Sequence, residues 1–233
     1  MTSKKHVKPK IMRNKNLLAL IILIINLKVS ASDSNVDFNK DWKFVLKDSA
    51  HYSYTSYVPG DEWKKVNLPH DWSVGLPYDS ISGEGCVAFL QGGIGWYSKS
   101  FPTTISANQK CYIVFDGVYN NSEYWINGKK LGYHLSGYAP FYFDVTDYLN
   151  PNEDNRMTVR VDHSHYADSR WYTGSGIYRD VKMIVTDRLH IPVWGTFVTT
   201  PVVTDKYAKV NNQITVRNSY SEPRTAVVEI VYK

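Results

Sequence analysis

Residues 170–180 read RWYTGSGIYRD, which gathers Arg170, Trp171, Tyr172, Tyr178, Arg179 and Asp180 around a Gly-Ser-Gly turn. A sugar ring offers an apolar face of C–H groups and a rim of hydroxyls. Tryptophan and tyrosine cover such a face, and arginine and carboxylates read the rim through charge-assisted hydrogen bonds. Gly174 and Gly176 permit a sharply bent backbone, so both flanks of the turn can converge. The same residues also suit a corner, with the aromatics plugging the end of a sandwich and Arg179 paired with a core acid. The residues alone leave both readings open. Trp171 and Tyr172 fall on opposite sides of an extended backbone, so only one of the two is expected to face a ligand.

Other chemistries find less support. QGGIGWY (91–97) lacks the GxxxxGK[ST] spacing of a phosphate cradle and reads as a tight turn before a strand. His163 and His165 supply two metal ligands without a nearby third. No G-x-S-x-G nucleophile elbow is present. Asn120-Asn121-Ser122 matches a glycosylation sequon, a short and common pattern. Retaining sugar hydrolysis needs two carboxyl groups about 5–5.5 Å apart. Asp71, Asp79, Glu84, Asp116, Asp162 and Asp168 are available, but no local context marks any of them as catalytic. No cofactor or metal site is expected.

These residues must be held by strands. Period-two alternation dominates after residue 32. Cys111, Ile113 and Phe115 share one face, with Tyr112, Val114 and Asp116 on the other. Phe141, Phe143 and Val145 alternate with polar neighbours, as do Met157, Val159 and Val161, and Val181, Met183 and Val185. EYWINGKKLGYH predicts a hairpin turning on Asn127-Gly128, the dipeptide favoured in a type I′ turn. A short helical turn is expected over 146–149, capped by Thr146 or Asp144. Many short strands separated by turns indicate an all-β antiparallel sandwich. Beyond residue 187 the pattern predicts strands at 210–216 and 226–232 around a Ser-Glu-Pro turn, like the opening of an immunoglobulin-like sandwich. Such a domain needs about seven strands, so the chain is expected to be the front of a longer protein.

The net charge of +5 is a property of the leader. The first 32 residues hold seven of the 27 basic residues and none of the 22 acidic ones, so the body carries no electrostatic footprint for nucleic acid. Leu17 to Leu27 reads LLALIILIINL, followed by Val29-Ser30-Ala31. Basic flank, short apolar run and small residues fit a secretory signal peptide over 1–31, and the run is short for a membrane span. A secreted or periplasmic location follows as an expectation, with membrane contact only through that leader. Cys86 and Cys111 do not make a disulfide framework and are read as thiols.

Five blocks in order carry a resemblance: VNLPHDW (66–72), QGGIGWYSKSF (91–101), FDGVYNNSEYWINGKKLGYH (115–134), GYAPFYFDVTDYL (137–149) and DSRWYTGSGIYRDV (168–181). Together they resemble the N-terminal sugar-binding jelly-roll domain of glycoside hydrolase family 2, nearest to bacterial β-galactosidases. The resemblance spans about residues 36–187, and 188–233 is similar to the start of the family's immunoglobulin-like domain. It implies a glycosidase whose two catalytic glutamates sit on a C-terminal (β/α)₈ barrel outside this sequence, so no catalytic residue is assigned here. It implies a β-galactoside-like carbohydrate as partner, with the jelly roll walling the sugar subsite. The positions matching those loops are Asp168, Arg170, Trp171 and Tyr172, with Asp79 after LPHDW. Some relatives carry an acid before S-G-I where Arg170 stands, with Asp168 two residues earlier. PHDW, FDGV and WINGKKLG read as scaffold, with Gly117 and Gly128 serving turns and His70 and Asp71 making local hydrogen bonds. The alternative is a free-standing carbohydrate-binding module without hydrolase activity.

Overall fold

A computed structural model of the chain describes residues 34–54, 56–81, 85–103, 105–165 and 171–231. The leader, Glu84, Asp168 and Arg170 lie outside the described residues. Ten strands build the body: β1 (Ser34–Asp37), β2 (Trp42–Leu46), β3 (Lys64–Val66), β4 (Gly93–Pro102), β5 (Gln109–Phe115), β6 (Ser122–Ile126), β7 (Lys129–His134), β8 (Phe141–Asp144), β9 (Asp154–His163) and β10 (Val181–Asp187). They form two antiparallel sheets, one ordered β3-β2-β4-β9-β6-β7 and the other β1-β10-β5-β8. From β4 onward, the β6–β7 hairpin apart, the chain passes from sheet to sheet, so most strand neighbours are distant in sequence, as in a jelly-roll sandwich. There is no α-helix among the described residues, and none of them forms a helix long and apolar enough to cross a membrane.

The alternating residues meet between the sheets. Met157, Val159 and Val161 of β9 are buried in one cluster with Cys111, Ile113 and Phe115 of β5. Burial of these side chains is the main force holding the layers together. β5 is buried on both faces, because Tyr112 and Val114 on its other face are covered as well. Tyr112 lies under His190, with its hydroxyl 3.0 Å from Nε2, where the chain returns over the outer face after β10. A second aromatic group, Tyr52, Trp63 and Trp96, packs with Val45 on the outer face of the six-stranded sheet. Cys111 is buried and Cys86 exposed, and no disulfide joins them. Burial pushes the Cys111 thiol up to about 12, which keeps it protonated and unreactive.

The hairpin forms as its sequence predicts. Ile126 of β6 pairs with Lys129 of β7, and Asn127 and Gly128 take φ of 51° and 75°. A Gly128→Ala change places a Cβ in the left-handed region and is expected to cost about 1 kcal/mol in a urea melt without altering the sheet. The helical turn is a 3-10 turn over Thr146–Tyr148, where Asp144 Oδ1 accepts the Thr146 N–H at 3.1 Å. Gly117 serves close approach and not a positive-φ turn. A Cβ there would stand 2.9 Å from Arg179 Cδ and 3.1 Å from the Tyr178 ring.

The tail departs from expectation. Beyond β10 come β11 (Leu189–His190), β12 (Thr196–Val203), β13 (Ala208–Ile214) and β14 (Arg217–Asn218). β12 pairs with β13 across a turn in which Thr204 N–H donates to Tyr207 O at 2.9 Å, and β11 pairs with β14. Residues 226–231 form no strand and are exposed. Their apolar pattern suits a strand, but a strand exists only against a partner that takes its ladder hydrogen bonds, and 226–231 pairs with no strand among the described residues.

Candidate functional site: an aromatic edge on a pinned loop

Three segments distant in sequence are laced together at one end of the sandwich. Gly174 and Gly176, at φ of 79° and 109°, bend the loop so that Ser175 turns inward and is buried. His70 N–H donates to Ile177 O at 2.8 Å and Trp72 N–H to Ser175 O at 3.2 Å, so the PHDW segment runs alongside S-G-I. Tyr119 and Gly176 exchange both backbone hydrogen bonds at 2.9 Å.

Asp71 is the hub. Its Oδ1 accepts the N–H groups of Ser73 and Ser175, each at 3.0 Å, and its Oδ2 accepts the Tyr172 hydroxyl. Burial and then this bond to Asp71 push the Tyr172 phenol above the ordinary tyrosine range. Ser175 Oγ lies 2.6 Å from Ser73 Oγ and 2.7 Å from His163 Nδ1. Ser73 Oγ also donates to Gln91 O at 2.7 Å. Gln91 Nε2 donates to Pro77 O at 3.0 Å, closing the base of the loop that carries Asp79. Asp79 Oδ1 accepts the Ile81 N–H at 2.8 Å. Ser73 therefore joins the bases of the two loops on which site residues were expected.

Trp171 is 61% exposed and Tyr172 43%, so neither is a buried plug. The Trp171 indole N–H donates to the Tyr138 hydroxyl at 3.2 Å, while the Tyr172 hydroxyl turns to Asp71. The other aromatic of the motif is used elsewhere. Tyr178 donates its hydroxyl to Gly137 O at 2.7 Å, and the exposed Arg179 guanidinium lies over the Tyr178 ring at 5.2 Å. Among the described residues Arg179 forms no ion pair, so the corner with a core acid does not form. Tyr178, Arg179 and Asp180 line an open cleft of about 400 Å³ with Pro69, Asp116 and Pro140. The RWYTGSGIYRD motif thus serves two places, with the glycine turn between them. Of the other candidate carboxylates among the described residues, Asp116 pairs with Lys182 at 2.9 Å and Asp162 with Arg160 at 3.1 Å. In the sequon, Asn120 is half-buried with its Oδ1 covered, and Ser122 is fully buried.

Tyr138 carries no site motif of its own, and its place beside Trp171 depends on a pairing 33 residues apart. The aromatic next to glycine in SGYAP was the available signal.

Comparison with known proteins fits this geometry. A family model described as glycosyl hydrolases family 2, sugar binding domain, matches residues 30–187. The chain is 43% identical over 185 residues to the β-galactosidase BoGH2A of Bacteroides ovatus, covering 78% of this chain and 22% of the relative. It is 28% identical over 210 residues to a β-glucuronidase of Bacteroides fragilis, covering 85% and 28%. Among solved structures, a β-glycosidase from Bacteroides vulgatus superposes with TM-score 0.74 at 38% identity, covering 81% of this chain and 25% of that one. The chain spans about a quarter of the length of these relatives. A two-sheet sandwich whose matched blocks meet around Asp71, and a family match over most of its length, place this chain in glycosyl hydrolase family 2, with residues 30–187 as the sugar binding domain.

Proposed function

We propose that this chain is the sugar-binding portion of an exported β-galactosidase-like glycosidase, holding a pyranoside ring against the edge formed by Trp171 and Tyr172. The observation that carries the reading is the exposure of these two rings on a loop whose Ser175–Ile177 backbone is fixed by the segments of Asp71 and Tyr119. A fixed aromatic edge covers the C–H face of a sugar with little ordering cost on binding. Asp168, Arg170 and Asp79 are proposed to read hydroxyls, and bond cleavage to depend on two glutamates of a barrel beside this sandwich. The relatives' names include both galactosidase and glucuronidase, so the sugar class is part of the test. The leader's apolar run supports export.

Titration of the purified chain with methyl β-galactoside and methyl β-glucuronide, followed by NMR, checks this reading. Saturable binding of the galactoside is expected, weakened at least about tenfold by Trp171→Ala, with no release of nitrophenol from aryl β-galactosides. A flat titration sinks the sugar site. Hydrolysis by the chain alone would overturn the division of labour. Tighter binding of the glucuronide would reassign the substrate.

A further inference from the structure

We propose that Tyr138 is a third sugar-contacting residue of this edge, and that the Tyr138–Trp171 pair together sets its affinity for a pyranoside ring. The inference rests on the sugar site proposed above and adds a residue from a different segment, the turn before β8.

That turn is held from several directions. Ser136 Oγ accepts the N–H groups of Tyr138 and Ala139 at 3.3 and 3.2 Å. Tyr178 donates its hydroxyl to Gly137 O at 2.7 Å. Gly137 lies so close to the Tyr119 ring that any side chain there would collide with it. Tyr119 is buried, is bridged to Gly176, and meets the Tyr138 ring edge-on at 5.6 Å. The same Gly176 that shapes the Trp171 loop therefore also backs the support of Tyr138.

Yet Tyr138 itself is 47% exposed. A ring placed only to fill the fold would be covered. Its hydroxyl accepts the Trp171 indole N–H, which uses the one donor an indole has. Trp171 is 61% exposed, and the hydrogen bond ties its indole edge to Tyr138. Two exposed rings joined by a hydrogen bond have less freedom to lose when the apolar face of a sugar meets them.

The test is an NMR titration of the full chain with methyl β-galactoside, comparing wild type with W171A, Y138A, Y138F and Y138W. Thermal melts control for folding. Y138A is expected to weaken binding about tenfold, while Y138F and Y138W stay within about threefold of wild type because an aromatic face remains. In Y138F the Trp171 indole N–H signal should move even without sugar, since its acceptor is gone. If Y138A fails to fold, Y138L takes its place, keeping bulk without an aromatic face. Wild-type binding that W171A weakens and Y138A or Y138L leaves unchanged overturns the role of Tyr138 and spares the sugar site. No binding by wild type overturns the sugar site and this inference with it.

Discussion

Gly176→Ala is expected to remove about 4 kcal/mol of stability or to prevent folding. Two costs add at this position. Its φ of 109° lies where an L side chain crowds the backbone, at about 1–2 kcal/mol. An added Cβ would also overlap the Tyr97 hydroxyl and stand 3.0 Å from both His70 O and Trp72 Cε3. None of these can retreat cheaply. Tyr97 is fully buried with its hydroxyl 2.8 Å from His70 Nδ1, and the His70 backbone is bonded to Ile177. Overpacking of such a site adds about 1–3 kcal/mol. Gly174 is the internal comparison. Its φ is 79°, but its closest neighbour would be the Asp71 carboxylate at 3.2 Å, so Gly174→Ala should cost only about 1–2 kcal/mol. Urea denaturation of both variants measures the difference. Equal and small losses would show that the loop yields, and the pinned edge it is meant to support would lose its basis.

The strands were legible because their inward residues alternate: Met157, Val159 and Val161 need only the local pattern to declare a face. The Asn127-Gly128 turn was legible for the same local reason. What alternation cannot show is what covers a strand from outside. Alternation placed Tyr112 on the face opposite Ile113 but could not show that His190, 78 residues later, closes over it. Nor can it show whether a strand-like run finds a partner, and residues 226–231 do not. The site divides the same way. Aromatic composition drew attention to Trp171 and Tyr172, and both are exposed. The role of Asp71 as a hub was not legible, since its two distant partners lie 101 and 104 residues away. Reading His70 and Asp71 as makers of local hydrogen bonds captured Ser73 and missed Ser175 and Tyr172. The five matched blocks succeeded where periodicity stopped, because blocks far apart in sequence are the ones that Asp71, Tyr119 and Gly176 join.

Asp71→Ala should cost about 3 kcal/mol and abolish the sugar affinity proposed for the loop. The carboxylate satisfies two N–H groups, of Ser73 and Ser175, both on buried residues. A buried donor left without a partner costs about 1–3 kcal/mol. Water can replace the bond to Tyr172, whose ring is partly exposed, so that contact adds little to stability but frees the ring to turn. Asp71→Asn separates the two effects. Its remaining carbonyl oxygen can still accept both N–H groups, so the loss should fall to about 1 kcal/mol, while the charge facing Tyr172 disappears. The Tyr172 phenol is held above its ordinary value by burial and by that carboxylate. A raised folded value means that its contribution to stability is present below the ordinary tyrosine range near about 10 and is lost as pH rises through the elevated value. In Asp71→Asn the phenol should ionise at lower pH by ultraviolet titration, with the alkaline fall in stability narrowed. If Asp71→Ala instead melts with the wild type, the loop is held without its carboxylate hub. Trp171 and Tyr172 would then bind sugar only by being ordered at the moment of contact, with an affinity reduced by that ordering cost.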